Sequence, residues 1–170
     1  MISPGVADVR PCKYNAVKDK RRKEEDVTLA QRFAQIFGAI YLLVGILGFI
    51  PPLLTTKAGL IVPPLGLPAF AGFLIALFAV NWLHSAAHLL IGVAGLATFR
   101  NPAAANTYAL VIAVVYALLF LLGLFGGPWG ALGRLVPLNW LDNILHLLTA
   151  VIAFGAYYAS RGAPATSPRV

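Results

Sequence analysis

Charge is what this chain has least of. Asp, Glu, Lys and Arg make up 11% of its 170 residues, where an ordinary water-soluble domain carries roughly a quarter. That composition excludes the usual soluble classes. Cysteine is nearly absent as well: Cys12 is the single example, so no intrachain disulfide can form, and there is no Cys-x-x-Cys-His for covalent haem attachment. His-Glu-x-x-His, the spacing of a zinc hydrolase, is missing too. Acidic residues number 6 against 13 basic ones, and one carboxylate alone, Asp142, lies inside an apolar run.

What the chain has in quantity is apolar surface, with 59% hydrophobic residues and a mean hydropathy of +0.81. Four runs, at about 29–50, 80–99, 106–125 and 138–159, reach the length of about 20 residues that carries a helix across a hydrocarbon core roughly 30 Å thick. They are continuous rather than alternating, which argues against a β-barrel. The expected fold is an all-α integral membrane protein, a four-transmembrane-helix bundle over 28–159. A basic tail at 1–27 precedes it and a short tail at 160–170 follows. The long polar stretch ahead of the first run is unlike a secretory signal, so the first helix is expected to stay as an anchor.

The net charge of +7 is concentrated at the edges of the runs. Lys18, Lys20, Arg21, Arg22 and Lys23 lie just before the first, Arg100 between the second and third, and Arg161 after the fourth; Lys57 and Arg134 fall on the opposite side. The positive-inside rule then places both termini in the cytoplasm. The same basic cluster suits anionic lipid headgroups better than nucleic acid.

Thr28-Leu29-Ala30-Gln31 has the form of a capping box at the start of the first helix. Pro51-Pro52 stops that helix, and five prolines between 51 and 68 argue against regular helix in the first outer loop. The apolar run beginning at Ala69 is about 31 residues long, roughly 46 Å as straight helix, which exceeds the membrane core. Either one long tilted helix or a separate interfacial helix at about 69–79 is expected there. Asn101-Pro102 is read as a short connection before the third helix at Asn106, and Pro137 as the first turn of the fourth.

Within the apolar runs, polar side chains are confined to two stripes. Asn81, His84, Ser85 and His88 stand at i, i+3, i+4 and i+7, so a helix projects all four from one face. The frame returns as Asn139, Asp142, Asn143 and His146, inside the matching strings Asn-Trp-Leu-x4-His-Leu-Leu. All three histidines belong to these stripes. Tyr41 and Gly48 are spaced like Tyr116 and Gly123, so the chain reads as an internal repeat of two tandem helical hairpins. Further inward the stripes pass into small residues, Gly92 and Gly95 on one helix and Thr149, Ala150 and Ala153 on the other, which allow close helix contact.

Polar groups in lipid need partners, so these faces are expected to turn into the bundle. One reading is a hydrogen-bond network fixing helices two and four, with Asp142 also complementing its helix dipole. A second is a ligand site. His84, His88, Asp142 and His146 offer three nitrogens and an oxygen for zinc, and His88 with His146 offers axial ligands for haem or a chlorin. A third is proton or ion transport by His and Asp.

The segments Gly45-Ile46-Leu47-Gly48-Phe49-Ile50, 77–96 with Asn81, His84 and His88, and 138–146 with Asn139, Asp142 and His146 resemble a bacterial family catalogued as domain of unknown function 4383. Its members are small four-span membrane proteins, and the resemblance implies a place in the bacterial inner membrane. The resemblance covers about 33–158 and implies fold and location without an activity. Similar members often carry Asn at the position of Ser85. The function expected is that of a non-enzymatic accessory or scaffolding subunit that contacts lipid and other membrane subunits.

Overall fold

A computed structural model of the protein describes residues 27–55, 72–75, 77–126 and 136–162. The basic cluster Lys18, Lys20, Arg21, Arg22 and Lys23, together with Cys12, Lys57 and Arg134, lies outside the described residues. Four helices dominate: α1 (Leu29–Leu47), α2 (Trp82–Thr98), α3 (Pro102–Gly126) and α4 (Trp140–Ser160). Three of them, α1, α3 and α4, are long and apolar enough to cross a membrane; α2, at 17 residues, is shorter. The molecule is a mostly helical membrane protein.

The helix ends follow local chemistry. Thr28 Oγ1 accepts from Gln31 N at 3.2 Å and Gln31 Oε1 accepts from Thr28 N at 3.1 Å, so two free donors of the first turn of α1 are satisfied reciprocally. A third is met from the far end of the chain, where Ser160 Oγ accepts from Ala30 N at 3.0 Å. That bond ties the start of α1 to the end of α4.

The third helix begins earlier than Asn106. Asn101 Oδ1 accepts from Ala104 N at 3.1 Å and its carbonyl accepts from Ala105 N at 2.8 Å. With that cap in place Pro102 takes the first helical position, where its missing N–H costs nothing. Asn-Pro therefore starts a helix here instead of holding a loop open.

A larger departure precedes α2. No helix occupies the described part of 69–79, neither a continuation of α2 nor an interfacial one. The short strands β1 (Leu54–Thr55), β2 (Gly72–Leu74) and β3 (Phe78–Val80) form an antiparallel sheet in the order β1-β2-β3. Phe73 pairs with Ala79 and Leu74 with Phe78 across the hairpin. Its turn places Ile75 at a φ of 48°, a left-handed conformation that a β-branched residue rarely adopts. Two causes end the helix at Asn81. The Asn81 backbone is extended and its side chain accepts from His84 N at 2.9 Å, and the aromatic and β-branched Phe78 and Val80 suit a sheet.

Packing is strongest within each consecutive pair, α1 with α2 and α3 with α4. α1 also touches α3 and α4, whereas α2 meets α3 lightly. The α1–α2 seam is built on glycine: a Cβ on Gly38 would stand 2.9 Å from Leu96 N, and one on Gly95 would stand 2.7 Å from the Ala34 carbonyl oxygen. Alanines serve on the other side, where Ala105, Ala109 and Ala113 of α3 and Ala150, Ala153 and Ala156 of α4 are buried with Phe33, Tyr108, Ile112 and Tyr116. Small side chains here permit backbone approach, the means by which helices associate in lipid without a hydrophobic driving force.

Candidate functional site

The polar stripes divide into two layers. The outer layer is made by the helix starts. Asn81 and Asn139 are N-caps with extended backbones, not members of a helix face as the three-residue spacing suggested. Asn139 Oδ1 accepts from Asp142 N and Asp142 Oδ2 accepts from Asn139 N, both at 2.9 Å. Asn139 Nδ2 also donates to the Leu77 carbonyl in the hairpin turn.

Both helices then reach the same strand residue. Asp142 Oδ2 accepts from Ala79 N at 3.3 Å, while His84 Nδ1 lies 3.0 Å from the Ala79 carbonyl oxygen. A carbonyl only accepts, so the His84 ring must carry a proton at Nδ1 and donate it. One β3 residue therefore has its N–H held by α4 and its C=O held by α2. His84 and Asp142 are 6% and 5% exposed and Ala79 is 2% exposed, so these bonds are sheltered from competing water. Nothing in the residue pattern pointed to Ala79, because what is recognised is its backbone.

The inner layer lies about one turn deeper. His88 of α2 stands edge-on to Tyr41 of α1, with ring centroids 4.8 Å apart at 87°. His146 of α4 stands edge-on to Tyr116 of α3 at 5.4 Å and 80°. Tyr41 and Tyr116 are themselves 5.8 Å apart, and the Tyr41 hydroxyl hydrogen-bonds with the Tyr116 and Thr149 side chains. Imidazoles from α2 and α4 are thus linked through tyrosines of α1 and α3. The remaining stripe residues face glycines: a Cβ on Gly48 would collide with Ser85 Oγ, and one on Gly123 with Asn143 Oδ1. Ser85 and Asn143 are buried, and their side chains have no hydrogen-bond partner among the described residues; the same holds for Nδ1 of His88 and of His146.

A partly open cavity of about 110 Å³ lies between the two histidine ridges. His84 and His88 of α2, Tyr116 of α3 and His146 of α4 line it together with Ile91 and Leu119, and its surface is almost wholly apolar.

This arrangement corrects the ligand sets read from spacing. Among the described residues no three His, Cys, Asp or Glu side chains converge to hold a metal ion. The four residues His84, His88, Asp142 and His146 do not come together as one donor set; Asp142 turns its Oδ2 to Asn139 N and Ala79 N. Haem or a chlorin between His88 and His146 does not fit either. The cavity is well below the range of about 300–1,000 Å³ typical of pockets for drug-sized ligands, and a tetrapyrrole needs at least that. The network is also not a direct α2–α4 contact, since those helices make no substantial packing with each other.

Fold and site together define a helical membrane protein whose polar groups are gathered near one end of the bundle, under a small sheet. The chain belongs to the family described as Domain of unknown function (DUF4383), whose model matches residues 31–159. No curated protein and no solved structure matches the chain.

Proposed function

We propose that the protein is a small accessory or scaffolding subunit of a larger assembly in a bacterial inner membrane. In this reading it crosses the bilayer four times with both termini cytoplasmic. The observation that carries the reading is the double hold on Ala79. Ionisable groups are costly inside a membrane and ordinarily mark a working site. Here the one carboxylate of the spans and one of three histidines are used to fix an outer hairpin in place. A rigidly held outer surface is what a docking platform requires, and it is of little use to an ion path or a redox centre.

Orientation is supported by three arginines of the described residues. Arg32 in the first turn of α1, Arg100 after α2 and Arg161 at the end of α4 belong to one end of the bundle, the end where Ala30 meets Ser160. Arg161 stacks on Tyr158, 4.2 Å from the ring centroid, a pairing suited to a headgroup boundary. We place α2 across the membrane as the fourth span: its 17 residues are the lower limit for crossing, and the hairpin at its outer end completes the distance.

Descent of the two hairpins from one repeated unit is the reading best supported by matched contacts. Tyr41–His88 corresponds to Tyr116–His146, Gly48–Ser85 to Gly123–Asn143, and the Asn81 cap to the Asn139 cap.

Extraction in a mild detergent or in native nanodiscs tests the subunit reading. The expected result is a particle heavier than the monomer, lost when Asp142→Leu and His84→Phe release the hairpin while the helices remain folded. A particle of monomer mass from the native membrane contradicts it.

A further inference from the structure

The cavity between the histidine ridges plays no part in the hold on Ala79, and its walls carry a different implication. We infer that it seats the middle of one acyl chain of a membrane lipid, which enters from the side between α2 and α3. This goes beyond the subunit reading and rests on one part of it, that α2 crosses the bilayer.

Surface chemistry selects the class of ligand. Three histidines and a tyrosine line the cavity, yet its surface is almost wholly apolar, because their polar atoms are turned elsewhere. His84 Nδ1 is held by the Ala79 carbonyl, Nδ1 of His88 and of His146 are buried, and the Tyr116 hydroxyl is bonded to Tyr41. What they mainly present is ring carbon. A polar headgroup would give up its hydrogen bonds there without replacement; a hydrocarbon chain has none to give up.

Packing sets the way in. α2 meets α3 only lightly, and of the residues these two helices contribute to the lining, Ala87 is exposed while Ile91 and Leu119 are half-buried. Their neighbours one turn along, Leu90 on α2 and Val115 and Leu122 on α3, are exposed and apolar. Such faces meet lipid, so acyl chains already lie against the mouth. Size then narrows the choice. At about 110 Å³ the cavity is smaller than one of about 150 Å³ that holds benzene, and it is far too narrow for a helix roughly 10 Å across. A flexible straight chain fits where a ring or a helix does not. Inside a bilayer the gain is not hydrophobic: wall atoms without contacts on their open side recover dispersion attraction when methylenes fill the space. His88 lies roughly 10 Å below the Asn81 cap, well inside a leaflet whose hydrocarbon is about 15 Å deep. Mid-chain carbons are therefore the ones that reach it.

The test uses the full chain in phosphatidylcholine nanodiscs doped with a phosphatidylcholine that carries a photoreactive diazirine at mid-chain. Labelled residues are mapped by peptide mass spectrometry after irradiation. Leu90 is 72% exposed on the outer face of α2, whereas His146 and Tyr116 line the cavity at 6% and 2% exposure, so only a chain that has entered can label them. The expected result is label on His146 and Tyr116 as well as on Leu90. Leu119→Trp fills the cavity and should lower the His146 label at least tenfold while leaving Leu90 labelled as before; should that variant not fold, Ala87→Leu closes the mouth from α2. Label on Leu90 with none on His146 or Tyr116 overturns the inference and leaves α2 as a span. Absence of label from all three overturns both. An undiminished His146 label in a folded cavity-filled variant also overturns the inference, since the chain would then reach His146 by another route.

Discussion

Tyr116 and His146 meet edge to face across α3 and α4, and the contact has a counterpart in Tyr41 and His88 across α1 and α2. Each histidine places its ring against the tyrosine of its own hairpin, and the tyrosines meet between them. Such aromatic contacts are worth about 0.5–1.5 kcal/mol beyond the area they bury. Replacing Tyr116 by Leu should cost more than that, since Tyr116 is also 2% exposed and a smaller side chain leaves a cavity. We expect a loss of about 2–4 kcal/mol, read from the thermal or denaturant midpoint in detergent. His146→Leu should cost less, because it removes an unpartnered polar atom along with the ring contact.

Asp142 should be the most sensitive position of the outer layer. Asp142→Leu removes the acceptor of both Asn139 N and Ala79 N; the buried Ala79 donor left unpaired should cost about 1–3 kcal/mol and the half-buried Asn139 donor less. Asp142→Asn keeps one acceptor oxygen and should lose about half as much. Equal stability of the wild type and the Leu variant in detergent unfolding would contradict this assignment.

The glycines separate sharply by what lies above them. Gly92→Ala and Gly95→Ala place a methyl against backbone, the Leu42 amide in one case and the Ala34 carbonyl in the other, and backbone cannot swing aside. Each should push α1 and α2 apart and lower the unfolding midpoint by an amount corresponding to about 1–3 kcal/mol. At Gly155 a methyl would have nothing within 4 Å, so Gly155→Ala should be neutral or stabilise by up to about 1 kcal/mol through helix propensity. The contrast between them is the readout.

Ser160 is a cap for a helix start 130 residues away. Ser160→Ala should leave Ala30 N without its acceptor and cost about 0.5–2 kcal/mol. Amide exchange should rise in the first turn of α1 and stay unchanged in α2. Faster exchange throughout the bundle would show that the bond does more than close one helix end.

The stripes were legible because the period of a helix is visible in sequence: Ser85, His84, Asp142, Asn143 and His146 are all buried. What misled was that an N-cap and its N3 residue have the same three-residue spacing as neighbours on one helix face. Asn81 and Asn139 therefore read as stripe members when they cap the starts of the helices. The hairpin was hidden for a related reason. Strands three residues long offer no alternation to detect, and Phe78-Ala79-Val80 is as apolar as the span that follows it. The metal set lay beyond what spacing can reach, because His84 and His88 do stand one turn apart while whether Asp142 and His146 join them depends on how the helices are set in the bundle, and among the described residues no three converge. Ser160 showed no sign of its role at all, since its partner is set by how the two chain ends come together.

Protection of the Ala79 amide tests the hold on the hairpin most directly. Hydrogen exchange followed by NMR in nanodiscs should find that amide protected in the wild type. It should exchange at least tenfold faster in Asp142→Leu, with the amides of α3 unaffected. An Ala79 amide that exchanges freely in the unaltered protein would contradict the account.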